Sequence, residues 1–129
     1  MNYNRLRVQK RMQQVLSEVI FREVRQQELK QVTITEVELT RDYSYATIYF
    51  HSHEMKNSED ERFLLELMEK CSGFFRKRLA ETIRLRKTPE LRFKIDTAFA
   101  HSERMEALFQ QIAEGKKEET HDNDEDRDS

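Results

Sequence analysis

The first 114 residues of this chain contain one glycine, Gly73, and one proline, Pro89. Both fall in a single stretch, CSGFFRKRLAETIRLRKTPELRF, residues 71–93. With so few breakers the chain must be built from long elements, and only a polar turn or this stretch can interrupt them. A glycine-rich phosphate loop is excluded, because no pair of glycines is available to form one. Gly73 is expected to take the left-handed conformation that stops one helix, so that Ser72 or Gly73 begins the next. Pro89 is expected to end that second helix, because it forces Thr88 out of the α region.

Periodicity supplies the rest of the order. Val8, Met12, Val15, Leu16, Val19, Ile20 and Val24 form the stripe of an amphipathic helix over residues 5–25. Residues 32–40, VTITEVELT, alternate like a strand. Val32 and Ile34 share one face while Val37 and Leu39 share the other, and this phase slip near Glu36 implies a bulge. Residues 43–51 alternate cleanly. Ala46, Ile48 and Phe50 should face the core, with Tyr45, Thr47 and Tyr49 facing away. Arg41 and Asp42 read as a tight hairpin. Ser58-Glu59-Asp60-Glu61 has the form of a capping box, followed by Phe63, Leu64, Leu67 and Met68 as a buried stripe. The helix after Gly73 is expected to run to about Arg86 and to bury Phe75, Leu79 and Ile83. Leu91, Phe93 and Ile95 mark a third strand. Ser102 can cap a last helix with Met105, Leu108, Phe109 and Ile112 on one face. The order is α-β-β-α-α-β-α, in a domain over residues 1–113 followed by a disordered acidic tail over 114–129.

The net charge of −2 averages unlike regions. Residues 114–129 carry 8 acidic and 3 basic side chains, giving −5, and residues 1–113 carry 17 acidic and 20 basic, giving +3. Residues 70–94 hold 9 basic and 2 acidic side chains, giving +7. A strongly basic segment on a nearly neutral body implies a polyanionic partner. No segment approaches the ~20 apolar residues of a membrane span, and no secretory leader is expected from the basic start. One cysteine permits no internal disulfide, so a reducing cytoplasm is the natural setting.

Catalytic chemistry finds little support. Cys71 could act as a nucleophile with His51, His53 or His101 as base, but its place at a helix junction favours packing. His51 and His53 share one side of a strand end, and two ligands without a third make a poor metal site. Asp42 and Asp96 suit turn or capping roles better than acid–base work. No catalytic residue, metal ligand or cofactor is expected.

An α-β-β-α-α-β layout with two helices joined through a glycine resembles a type II KH RNA-binding domain. An ordinary KH domain has a G-x-x-G loop at that junction. Here the single glycine in Cys71-Ser72-Gly73 resembles the small-x-Gly helix kink of the ribosome-binding factor A family. Further matches are Val32-Thr33-Ile34-Thr35 with Val37, Arg41-Asp42, Ala46, Arg76 and Leu79. The most specific are Arg84-Leu85-Arg86 followed by Pro89-Glu90-Leu91-Arg92-Phe93 and Asp96. The sequence departs from the family at Gln26-Gln27-Glu28, where Asp-Pro is frequent, and at His101-Ser102-Glu103, where glycine is frequent. The resemblance implies an α+β fold and a non-enzymatic, cytoplasmic, bacterial assembly factor. Such proteins bind the free 30S ribosomal subunit or its precursor and help late maturation of 16S rRNA, including its 5′ end. They matter most in the cold, act as monomers off the membrane, and in some bacteria leave with help from a GTPase. On this basis Arg76, Lys77, Arg78, Arg84, Arg86 and Lys87 are the expected phosphate contacts, with Arg5, Arg7, Lys10 and Arg11 as a second patch. A generic KH-type RNA binder is one alternative. The other is a protein-interaction module using the sheet and Tyr43, Tyr45 and Tyr49.

Overall fold

A computed structural model describes residues 2–99, 101 and 104–114. The chain divides into two units, Met1–Asp96 and Thr97–Ser129. The first is built from α1 (Asn2–Glu23), a single helical turn α2 (Gln27–Lys30), β1 (Val32–Leu39), β2 (Tyr45–Ser52), α3 (Ser58–Lys70), α4 (Ser72–Thr82) and β3 (Glu90–Ile95). In the second, residues 104–114 are helical. Met105, Leu108, Phe109 and Ile112 lie there as expected and are exposed. The expected cap Ser102 and the acidic residues beyond Glu114 lie outside the described residues.

The three strands order as β1-β2-β3, antiparallel between β1 and β2 and parallel between β2 and β3. A parallel pair needs a long crossover, and α3 and α4 are that crossover. Ala46, Ile48 and Phe50 of β2 are fully buried. They belong to one core with Met12, Leu16, Leu64, Met68, Phe75 and Leu79, so α1, α3 and α4 all cover the same face of the sheet. Burying Phe50 and Phe75 contributes ~2–3 kcal/mol each. The bulge falls where the alternation slips, between Ile34 and Glu36. It brings Val32, Ile34, Val37 and Leu39 onto one buried face. Two α1 glutamines complete β1: the Leu39 amide donates to Gln9 Oε1 at 2.8 Å, and Gln13 Nε2 donates to the Ile34 carbonyl at 3.0 Å. The first turns of α1 therefore lie over the end of the sheet where β3 begins, since Leu39 pairs with Ala46 and Ala46 with Leu91.

Several local expectations are corrected. The cap of α3 is Asn57, whose Oδ1 accepts from the Asp60 amide at 2.9 Å, while Asp60 Oδ2 accepts from the Lys56 amide at 3.0 Å. The capping box is thus one residue earlier than Ser58–Glu61, because Asn57 already has extended dihedrals. Phe63 is exposed rather than part of the buried stripe, which Leu64 and Met68 form. The β1–β2 connection runs from Thr40 to Ser44 and takes Tyr43 out of the strand, at φ 61°. A left-handed tyrosine costs about 1–2 kcal/mol. Asp42 offsets that cost, accepting from the Ser44 amide, the Ser44 hydroxyl and the Thr40 hydroxyl.

The Ser44 amide, then the two hydroxyls, hold the Asp42 carboxyl below its ordinary range. A depressed folded-state pKa stabilises the fold above the unfolded value of about 3.9, and that stabilisation is lost as pH falls through the folded value. Asp42→Ala should therefore melt at a lower temperature than wild type at pH 7, with the gap closing as pH drops below about 4. Paired thermal melts across pH 3–7 check this.

Candidate nucleic-acid interface

The junction of α3 and α4 is a single residue. Cys71 caps the end of α3 and the start of α4 with φ −87° and ψ 0°. Its amide donates to the Leu67 and Met68 carbonyls, and its own carbonyl accepts from the Phe75 amide at 2.9 Å. Gly73 does not make the turn. It lies within α4 and no glycine has positive φ among the described residues. A β-carbon placed on Gly73 would meet nothing within 4 Å. An exposed helical glycine costs roughly 0.5–1 kcal/mol relative to alanine, and the fold gives no reason for that cost. Burial pushes the Cys71 thiol pKa up, which leaves it protonated at neutral pH and suits packing rather than nucleophilic attack.

Helix α4 ends at Thr82, and Ile83 leaves with extended dihedrals. The helix expected to reach Arg86 and stop at Pro89 is therefore a shorter helix followed by a basic loop. Pro89 is a fully buried residue that seats the end of this loop. Arg76 explains the seating: its Nε donates to the Pro89 carbonyl and its Nη2 to the Thr88 carbonyl, each at 3.0 Å, and Nη1 lies 3.7 Å from Glu90. A guanidinium offers a planar fork of donors, and here the fork joins α4 to the entry of β3.

The expected cations thus separate by role. Arg76 holds the loop. Arg78 donates to Glu81 at 2.6 Å and to Glu23 at 2.9 Å, tying α4 to α1. Those partners raise its pKa above the ordinary arginine value, the Glu81 bond most and the Glu23 bond next. Both side chains, expected as phosphate contacts, have partners within the fold and remain about one-third exposed. Lys77, Arg84, Arg86 and Lys87 are exposed, as are Arg7, Lys10 and Arg11, with Arg5 half-buried. The first turns of α1 and the loop entering β3 lie at the same end of the sheet. Glu23, the α1 partner of Arg78, stands 12 residues beyond Arg11, about 18 Å along the helix.

Beside the junction is a cleft of about 420 Å³ lined by Glu69, Ser72, Leu91, Arg92 and Phe93. Arg92 is not among the expected contacts, although it contributes to the charge of the basic segment. Its guanidinium carbon lies 3.7 Å from the centre of the Tyr45 ring. The His51 and His53 rings meet edge-on at 5.7 Å. Among the described residues no three His, Cys, Asp or Glu side chains are grouped to hold a metal. No described helix is long and apolar enough to cross a membrane.

The sequence profile of the family described as Ribosome-binding factor A matches residues 4–109. The chain belongs to that family. It is 35% identical over 106 residues to the ribosome-binding factor A of Coprothermobacter proteolyticus, covering 82% of this chain and 75% of that one. It is 34% identical over 108 residues to that of Hahella chejuensis, covering 81% and 80%. Among solved structures, the crystal structure of ribosome-binding factor A from Thermus thermophilus matches with a TM-score of 0.62 at 21% identity, over 70% of this chain and 93% of that one. A homology model of the Thermus thermophilus protein, fitted into a cryo-electron-microscopy map of a 30S–RbfA complex, matches with a TM-score of 0.57 at 20% identity, over 70% and 92%. These likenesses establish the fold, an α+β domain of the type II KH kind.

Arg76→Lys separates the two roles of that side chain, because lysine keeps the charge and loses the fork. Loss of the paired bonds to the Thr88 and Pro89 carbonyls should cost about 2 kcal/mol. Amides of residues 84–88 should exchange faster in the free protein. A melting temperature and exchange pattern equal to wild type would contradict the fork's role in holding the loop.

Proposed function

We infer that this protein is a non-enzymatic assembly factor that binds the free small ribosomal subunit or its precursor through rRNA. Its contribution is to late maturation of that particle, including processing of the 16S 5′ end, in the bacterial cytoplasm. The observation that carries this reading is Gly73. The bare backbone at the start of α4 has no purpose within the fold, and it suits the close approach of a phosphate backbone. Support comes from the exposed cations of the loop at 84–87 and of the first turns of α1, which lie at one end of the sheet. The family relationship agrees with it, as does the 30S complex described for the Thermus protein. Nothing in the chemistry of the cleft offers a nucleophile–base pair. Release by a ribosome-associated GTPase fits a factor that must leave before translation.

Co-sedimentation with free small subunits, large subunits and joined ribosomes tests the reading. Binding should be confined to free small subunits and weaken as salt rises from about 50 to about 200 mM. Each of Arg84→Ala and Arg86→Ala should reduce the salt slope by somewhat under one log unit per log unit. Equal binding to all three particles, or to none, contradicts it.

A further inference from the structure

The three-stranded sheet has two edges, and the fold treats them differently. The edge at β1 is closed. Its register shifts between Ile34 and Glu36, the Leu39 amide donates to Gln9, and Gln13 donates to the Ile34 carbonyl. Bulges and covering groups keep an edge from pairing with another chain. The edge at β3 has neither. Its register with β2 is unbroken from Glu90 to Ile95. The Glu90 amide donates to the Ser44 carbonyl and the Asp96 amide to the Phe50 carbonyl. Backbone groups alternate in direction along a paired strand, so Glu90, Arg92, Lys94 and Asp96 direct theirs at β2. Leu91, Phe93 and Ile95 direct theirs outward, and among the described residues these three amides have no hydrogen-bond partner. The cleft of about 420 Å³ adjoins this edge, with Leu91, Arg92 and Phe93 on the strand side and Glu69 and Ser72 on the helix side. The Arg92 guanidinium is drawn back over the Tyr45 ring on β2, away from the free edge.

We propose that the free edge of β3 is a protein-docking site, which an extended segment of a partner protein joins as a fourth strand, placing an apolar side chain in the cleft against Leu91 and Phe93 and a lysine or arginine beside Glu69. The proposal goes beyond the rRNA-binding reading and does not rest on it. Three observations carry it. The outward residues repeat every ~6.6 Å, and each offers one donor and one acceptor, which a polypeptide strand matches at the same repeat. Second, charge does not select a polyanion here, since Glu69 and Glu90 balance Arg92 and Lys94 along the cleft and the strand. Third, side chains of an added strand alternate between the two faces. Those on the helix side meet the half-buried Leu91 and Phe93 and the exposed Glu69 carboxylate, a surface suited to an apolar residue followed by a basic one.

The test follows single amides of the full chain by hydrogen exchange, alone and with two probes. One is a peptide of alternating lysine and valine, about ten residues long, and the other is an oligouridylate of the same length. In the free chain Leu91, Phe93 and Ile95 should exchange at least about tenfold faster than Arg92 and Lys94, because only the latter are paired. The peptide should protect Leu91 and Phe93 and leave Arg92 and Lys94 as they were. A peptide methylated on alternate backbone nitrogens, so that its paired edge has no donors, should give no protection. Glu69→Gln, shown by thermal melting to be folded, should bind the peptide up to about fivefold more weakly. Protection of Leu91 and Phe93 in the free chain would show the edge already closed and overturn the proposal. So would a lack of protection at millimolar peptide, or protection that survives the backbone methylation. Oligouridylate that protects the same amides more tightly than the peptide would make the edge an RNA groove and overturn it too. Sedimentation with small subunits tests the rRNA-binding reading separately, so the two fail independently.

Discussion

One guanidinium couples the halves of this domain. The parallel pairing of β2 and β3 obliges the chain to leave the sheet, cross it as α3 and α4, and return beside β2. Arg76 fixes the return. It reaches from α4 to the Thr88 and Pro89 carbonyls, so the crossover helix and the two residues before the strand are held by one side chain. Pro89 is then buried and Leu91, Phe93 and Ile95 pack against the core. The intervening residues, with Arg84, Arg86 and Lys87, are held at both ends and exposed. An internal hydrogen-bond pair thus presents an external charge cluster.

Most of the architecture is legible in the sequence, because most of it follows from periodicity. The α1 stripe, the core side of β2 and the bulge at Thr35 are all written in which positions are apolar. The role of residue 73 and the end of α4 are not legible, for physical reasons. Arginine, leucine and lysine are good helix formers, and nothing between Ile83 and Thr88 forbids another helical turn. The helix ends at Thr82, and Arg76 holds residues 88 and 89, a tertiary contact that local propensity does not contain. Gly73 suggests a left-handed cap, but Cys71 makes the turn in dihedrals open to any residue. The site is legible as a charge excess and not as a contact set. Arg76 and Arg78 look like their exposed neighbours in sequence, and only packing shows that Thr88, Pro89, Glu23 and Glu81 are their partners. Arg92 escapes a reading of local pattern because its partner, Tyr45, is distant in the chain. The alternation of β2 does show that Tyr45 points away from the core.

The two cationic regions serve different ends. Arg78 with Glu23 and Glu81 staples α4 to α1. The loop after α4 and the first turns of α1 carry exposed cations. This division makes net charge a poor guide to binding strength, since part of the +7 in residues 70–94 is neutralised within the fold. It also gives the glycine a meaning. Stability is forgone at residue 73, where alanine would fit and would favour the helix, beside a cleft and a set of exposed cations. A cost without an internal benefit marks a place where something outside the protein comes close.

That claim is tested most directly by Gly73→Ala, with stability and affinity measured on the same preparation. The added methyl group meets no atom of the protein, so the variant should be as stable as wild type or up to about 1 kcal/mol more stable. Its affinity for free small subunits should fall at least tenfold, because the methyl group occupies the space of an approaching backbone. A variant that gains stability and binds as tightly as wild type would show that the start of α4 is not where the partner makes contact.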